Sequence, residues 1–302
     1  MAGVIVADDI DWNRYMQDSE PAARVRPASA YRDLVVERFE NAGKPNGALL
    51  PWAKTHEHFA MRPGELTVWA GINGHGKSLL LGHVMLGLMQ QEQRCMIASF
   101  EMRPEVTLHR MCRQASQGLR PTLQFIDAFH RWTDSRLWLY DQQGQVDPLR
   151  IIAVLRYCHE RLQMRHVVID SLMKCIRGED DYNGQKNLLD TLTSVARDTG
   201  MHVHLVHHSK KREDESKAPG KFDLKGSGSI SDQADNVMIV WRNKKKQMDM
   251  QHGDGDPDAP DAMLVCEKQR NGEWEGRIAL WFDAASQQYI GAAGGRTQEY
   301  VR

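Results

Sequence analysis

The chain has 302 residues, 41% hydrophobic and 26% charged, a balance that supports one large core and excludes wholesale disorder. A formal net charge of −1 removes any global electrostatic argument for nucleic acid, so charge for that purpose must be local. Cys95, Cys112, Cys158, Cys175 and Cys266 contain no C-x-x-C pair, which speaks against a disulfide framework and a zinc finger and fits a reducing compartment.

Residues 1–28 have weak periodicity and end in the stretch Ser19 to Pro27, which reads as a flexible tether. Its first residues turn acidic where an export signal would continue apolar, so the expected location is the cytoplasm. Ser29 to Asn41 places Tyr31, Leu34, Val35 and Phe39 at helical spacing, with Ser29 as N-cap and Gly43 as stop. A surface helix with such a face must cover something, and a neighbouring subunit is one candidate. From about residue 61, strand-like runs at 65–70, 94–100, 136–141, 166–170, 202–208 and 236–242 alternate with helix-like runs at 78–91, 104–118, 147–164, 184–199 and 227–234. That alternation predicts an α/β fold with a mostly parallel twisted sheet and helices on both faces. The runs 262–268 and 275–282 read as a C-terminal antiparallel hairpin turning at Asn271-Gly272. The principal domain is expected over 50–290, a linker helix and connection over 29–49, and a loose tail over 291–302. The apolar run Leu79 to Met89 is interrupted by Gly82, His83 and Gly87 and is too short to cross a bilayer.

The octapeptide Gly71-Ile72-Asn73-Gly74-His75-Gly76-Lys77-Ser78 matches G-x-x-x-x-G-K-[ST] between a strand and a helix. Its glycines let successive N–H groups converge on an anion at the positive end of the helix that continues through Leu79. Lys77 is then expected to reach the β- and γ-phosphates of ATP, dTTP or another NTP, and the Ser78 hydroxyl to ligate Mg²⁺. His166 to Asp170 is an apolar strand ending in a carboxylate, which makes Asp170 the second metal-holding group. The strand ending at Phe100 leads into Glu101, assigned as the base that orients the attacking water.

His207 and His208 end another strand, before a long polar loop with Lys210, Lys211, Arg212, Lys217, Lys221 and Lys225 that closes on Gly226-Ser227-Gly228. Its cations suit backbone phosphates and its glycines allow close approach of a strand. Alternation puts His202, His204 and His208 on one face and His207 on the other, which favours core or sensor roles over zinc. Lys268 and Arg270 have no obvious mate in their own subunit, so in a ring Arg270 is expected to enter the neighbour's site and stabilise charge on the γ-phosphoryl group.

Taken in order, Arg62-Pro63-Gly64-Glu65-Leu66, GINGHGKS, Ser99-Phe100-Glu101-Met102, VVIDS, LVHHSK, Asp223 to Gly228 and Glu267 to Gly272 resemble the RecA-like motor domain of the DnaB-type ring helicases. The resemblance is particularly to the helicase half of phage primase-helicases and to Twinkle, and covers roughly residues 50–283. It implies a RecA-like P-loop NTPase core in a Mg²⁺-dependent homohexamer that moves 5′ to 3′ on single-stranded DNA, in host cytoplasm if phage-encoded. By the same resemblance Glu101 is the catalytic glutamate, Asp170 the Walker B aspartate, His208 the γ-phosphate sensor, Arg270 the arginine finger and Lys268 its companion. Arg242 lies where the phage enzymes contact the nucleotide base, and the helix at 29–41 looks like the linker helix packed on an adjacent subunit. By the resemblance, Lys174, Arg177, Lys210, Lys211, Arg212, Lys225, Gly226, Ser227 and Gly228 match the family's loops that line the central channel and grip DNA. The chain carries neither a primase domain nor the helical N-terminal domain of the bacterial helicases, which reads as a stand-alone motor working with a separate primase and a replicative polymerase. Two alternatives stay open from the sequence: a RecA- or RadA-like recombination ATPase forming filaments, and a nucleotide-gated helicase loader or regulator.

Overall fold

A computed structural model describes residues 4–5, 27–40, 46–176, 178, 181–209 and 229–301. In chain order the elements are β1 (Val4–Ile5), α1 (Arg32–Glu40), β2 (Ala48–Leu49), β3 (Ala60–Met61), β4 (Leu66–Gly71), α2 (Lys77–Gln90), β5 (Cys95–Ser99), α3 (Pro104–Ala115), α4 (Leu123–Thr133) and β6 (Leu137–Tyr140). They continue as α5 (Pro148–Leu162), β7 (His166–Asp170), α6 (Tyr182–Thr199), β8 (His202–His208), α7 (Ser229–Gln233), β9 (Asn236–Arg242), α8 (Lys244–His252), β10 (Ala262–Gln269), β11 (Gly276–Phe282) and β12 (Tyr289–Ile290).

Apart from a small β2–β3 pair, the strands form one sheet in the order β1-β6-β5-β7-β8-β4-β9-β10-β11-β12. Pairing is parallel from β1 through β9 and antiparallel from β9 through β12. The connection from β4 travels over β8 and β7 to reach β5, whereas β9 joins the other side of β4. The strand order therefore reverses around β4, and in such sheets the crevice beyond the carboxyl ends at the reversal collects ligands.

Strand alternation divides the core in two. Leu66, Val68 and Ala70 join Leu155, Leu189 and Leu192 of α5 and α6 on one face. Trp69 joins Leu80, Val84 and Leu88 of α2, Met111 of α3 and Phe129 of α4 on the other. Central strands buried on both faces explain the nearly continuous apolar runs that made them legible.

The strands at 166–170, 202–208 and 236–242 lie where the pattern places them, and the C-terminal hairpin forms with a longer connection than a two-residue turn at Asn271-Gly272. Helices α4 and α8 are additions to the predicted set. Thr122 caps α4 by accepting from the Phe125 N–H, and Asn243 caps α8 by accepting from that of Lys246. Ser29 is not a cap: it lies inside a 3-10 turn, Ala28–Tyr31, preceded by Pro27, and α1 follows at Arg32. The predicted face of α1 does exist unpacked, with Tyr31, Leu34, Val35 and Phe39 all exposed and Phe39 at 79%.

The stretch beyond 290, whose composition reads as loose, is docked: Tyr300 and Val301 are buried against the α2 face, and Tyr300 meets the His83 ring edge-on. The Gln298 N–H donates to Gln288 Oε1, tying the tail to β12's approach. No described helix is long and apolar enough to cross a membrane.

Candidate active site

The carboxyl end of β4 turns into the 71–78 loop and then α2. Gly76 adopts φ 86°, a left-handed conformation open to glycine, and a Cβ there would collide with the Tyr289 hydroxyl. A Cβ at Gly71 would meet the Val240 carbonyl, so the loop lies directly against β9. Asn73 and Gly74 face solvent, Ile72 and His75 are buried, and Leu79 turns toward the core while its carbonyl accepts from Gln114. Buried Ile72 and Leu80 thus anchor the loop and the start of the helix.

Lys77 curls back over the loop, its Nζ donating to the Gly71 carbonyl at 2.9 Å and the Ile72 carbonyl at 3.2 Å. Burial lowers its pKa to about 8, against the opposing pull of the Asp170 and Glu101 carboxylates. Ser78 Oγ donates to Asp170 Oδ2 at 2.6 Å, which joins the start of α2 to the end of β7. Asp170 is buried, and desolvation pushes its carboxyl up while the Ser78 bond opposes that. A hydroxyl and a carboxylate converging beside a phosphate loop are the hard oxygen donors that Mg²⁺ selects, so this pair fits that ion.

Glu101 lies on the far side of Asp170. Its Oε1 accepts from Ser171 Oγ at 3.2 Å and stands 3.8 Å from His208 Nε2. His208 beside it holds the Glu101 carboxyl below its ordinary range, partial burial opposes this, and Ser171 and Lys174 add to the lowering. The structure therefore brings together Lys77 and Ser78 at the start of α2 with Glu101, Asp170 and His208 at the ends of β5, β7 and β8, and it places Lys174 in the electrostatic reach of Glu101. Ser171 was missed by sequence reasoning as a partner of that carboxylate; its only signal was its place directly after Asp170.

Arg242 ends β9 beside the loop, exposed, with its backbone N–H donating to His75 Nδ1 at 3.1 Å. Arg270 and Lys268 stand apart, and here the expectation of cations without mates is corrected. Arg270 Nε meets Asp235 Oδ1 at 3.1 Å and its NH2 donates to the Asp232 and Gln233 carbonyls at 2.9 and 3.2 Å. Lys268 Nζ donates to the Ser231 and Asp232 carbonyls, each at 2.8 Å. A helix end leaves carbonyls unsatisfied, and these two cations satisfy those of α7. Arg177, Lys210, Lys211, Arg212, Lys225, Gly226, Ser227 and Gly228 lie outside the described residues.

His166, His202 and His204 are structural. His202 Nδ1 donates to the Arg62 carbonyl at 2.7 Å, so its Nε2 accepts from Thr67 Oγ1 at 2.8 Å. Trp69 Nε1 donates to His204 Nδ1 at 3.1 Å, which leaves His204 Nε2 to donate to His166 Nδ1 at 3.1 Å. All three are buried at the amino ends of β7 and β8, opposite the phosphate loop. Ring nitrogens committed in this way are not arranged to bind zinc.

Residues 57–290 match the family described as the DnaB-like helicase C terminal domain. Over 246 residues the chain is 23% identical to the DNA helicase/primase of Enterobacteria phage T3, covering 74% of this chain and 42% of that protein. Over 229 residues it is 24% identical to the replicative DNA helicase DnaB of Leifsonia xyli subsp. xyli, covering 70% of this chain and 49% of that protein. The chain thus spans less than half the length of these curated relatives. The fold is shared with an ATPase domain of solved structure, at a TM-score of 0.75 and 16% identity over 88% of this chain and 99% of that one. It is also shared with a DnaB-like replicative helicase solved in a study of its interactions with primase, at a TM-score of 0.71 and 16% identity over 88% of this chain and 67% of that one.

Proposed function

Since this chain belongs to the DnaB-like helicase C-terminal domain family, we propose that it is the NTP-hydrolysing motor of a replicative DNA helicase, working as a ring on single-stranded DNA. The observation that carries this reading is the convergence of Ser78, Asp170 and Glu101 beside the phosphate loop, with Ser78 Oγ and Asp170 Oδ2 2.6 Å apart. In this reading the loop N–H groups cradle a triphosphate, and Lys77 leaves the Gly71 and Ile72 carbonyls to meet the β- and γ-phosphates. Ser78 and Asp170 would hold Mg²⁺, which when bound supplies neutralisation of phosphate charge. Glu101, kept ionised by His208 and Ser171, orients water toward the γ-phosphorus. His208 touches the same carboxylate, so a change at the γ-phosphate reaches β8 and the segment that follows it.

The neighbouring protomer supplies Arg270, and the exposed face of α1 is the surface on which the ring is proposed to close. Lys174, Arg177 and the residues at 210–212 and 225–228 are proposed to grip the strand as the ring moves 5′ to 3′. A separate primase and a replicative polymerase are the proposed partners, in host cytoplasm if the source is a phage. The test is unwinding of a forked duplex by the purified protein with NTP and Mg²⁺, alongside Lys77→Ala. The reading expects strand separation by closed rings and none by Lys77→Ala; turnover by a lone monomer, or hydrolysis without strand separation, overturns it.

A further inference from the structure

Asparagine followed by glycine occurs four times in the chain, at Asn46, Asn73, Asn183 and Asn271. Glycine leaves its own backbone nitrogen unhindered, so that nitrogen can reach the carboxamide carbon of the asparagine before it. Three of the pairs are restrained. A Cβ at Gly47 would collide with the Met61 carbonyl, the Gly184 N–H donates to Asp181 Oδ1 at 2.9 Å, and Asn271 Nδ2 donates to Glu65 Oε1 at 2.7 Å. Asn73-Gly74 differs on each count. Both residues are exposed, and Gly74 holds φ 80° with open space where a Cβ would stand. Among the described residues neither the Asn73 carboxamide nor the Gly74 N–H has a hydrogen-bond partner.

We propose that Asn73 is a deamidation site whose conversion to aspartate or isoaspartate disables the 71–78 loop for phosphate. The consequence rests on the reading of that loop as a triphosphate site; the modification itself does not. The Gly74 nitrogen attacks the Asn73 carboxamide carbon and gives up its proton as ammonia departs, which closes a cyclic succinimide. Water then opens the ring at either carbonyl, so that the sum is one amide and one water converted to a carboxylate and ammonium. Either product sets a negative charge in a loop built to receive anions, and isoaspartate also lengthens the main chain there by one atom. Lys77 Nζ sits on the Gly71 and Ile72 carbonyls, so a carboxylate on the next residue competes with a triphosphate for that cation. A bound triphosphate opposes the reaction in turn, because it engages the loop N–H groups and holds the backbone away from the geometry of attack.

The test incubates the full chain in warm, mildly alkaline buffer, with and without a non-hydrolysable ATP analogue and Mg²⁺. Each asparagine is then read by peptide mass, and isoaspartate by methyltransferase labelling. Ion exchange separates the form converted at Asn73 from unconverted protein of the same incubation, and both are titrated with a fluorescent ATP analogue. The expected result is that Asn73 converts faster than Asn46, Asn183 and Asn271, and that the bound analogue slows that site alone. The converted form should bind roughly tenfold more weakly, and Asn73→Asp, which installs the aspartate directly, should be weakened alike. Conversion of Asn46 ahead of Asn73, or a converted form and an Asn73→Asp variant that both bind as well as unconverted protein, would overturn the proposal. A converted form that has lost its fold rather than its ligand, seen as a fallen melting temperature, would count against it too. Fresh protein that binds no triphosphate analogue would instead defeat the phosphate-loop reading, while the mass at Asn73, measured without ligand, still decides whether the site is modified.

Discussion

Lys77 has an ammonium group made easier to discharge by burial. Its pKa of about 8 means that above that pH the free protein holds a neutral amine, which must take up a proton when a triphosphate arrives. Nucleotide affinity should then fall as pH rises through about 8, approaching a tenfold loss per pH unit, and titration calorimetry in buffers of different ionisation enthalpy should register proton uptake. An affinity flat from about pH 7 to 9.5 would contradict the assignment of Lys77 to the phosphates. Glu101 behaves oppositely. His208, 3.8 Å away, is the largest cause of its lowered pKa, so His208→Ala should raise it and move the acid limb of kcat toward higher pH. Ser171→Ala should move the same limb by less, since the Ser171 bond ranks behind the contribution of His208. These assignments differ in how plainly the sequence announces them. Lys77, Ser78 and Asp170 belong to short patterns with fixed spacing, whereas the Ser171 bond to Glu101 spans 70 positions and depends on β5 and β7 lying side by side.

Helix α1 and the capped helix α7 make separate claims about assembly. Phe39 is 79% exposed in the single chain, so Phe39→Glu should leave protomer stability within about 0.5 kcal/mol. The same change should dissolve rings, as measured by sedimentation or mass photometry, if α1 covers a neighbour. Arg270 presents a contest between two sites. Its guanidinium is about two-fifths exposed but its partner Asp235 is buried, so losing it costs on the order of 1–3 kcal/mol, and a finger in trans is worth roughly 10³–10⁵ in rate. Arg270→Ala should therefore lower the melting temperature by several degrees without unfolding the protein and should remove nearly all DNA-stimulated hydrolysis; full turnover by that variant would sink the finger. Sequence periodicity found the buried strands and the long helices because burial on two faces leaves an unbroken apolar run. It passed over α4, although Phe125, Ile126 and Phe129 repeat at helical spacing behind the Thr122 cap. It also passed over α8, whose nine residues, Lys-Lys-Lys-Gln-Met-Asp-Met-Gln-His, carry little apolar periodicity and rely on the Asn243 cap. The mates of Lys268 and Arg270 were illegible for another reason: carbonyl acceptors at a helix end carry no residue-type signature.

Three buried histidines make the folded protein sensitive to acid. Burial holds His202 at about 4 and His166 and His204 well below their ordinary 6.5, so each stays neutral while the unfolded chain protonates. The unfolded state then binds more protons, and stability present above pH 6.5 is lost as the pH falls toward 4. Each group costs up to about 1.4 kcal/mol per pH unit in that window, so urea midpoints at about pH 7.5 and 5 should differ strongly, and His202→Asn should narrow the gap. The sequence favoured core or sensor roles over a metal for His202 and His204 and made no reading of the His166 ring, and their pairing with Trp69 and Thr67 needs the β4–β8 register to be known.

That placement has a practical corollary for enzymology. One end of β7 and β8 carries a sealed imidazole layer, and the carboxylates proposed to act, Asp170 and Glu101, lie at the carboxyl ends of β7 and β5, so mild acid undermines the foundation before it necessarily silences the machinery. A fall in turnover near about pH 5 is therefore ambiguous until a melting curve at that pH shows whether the catalyst has been protonated or its support has given way.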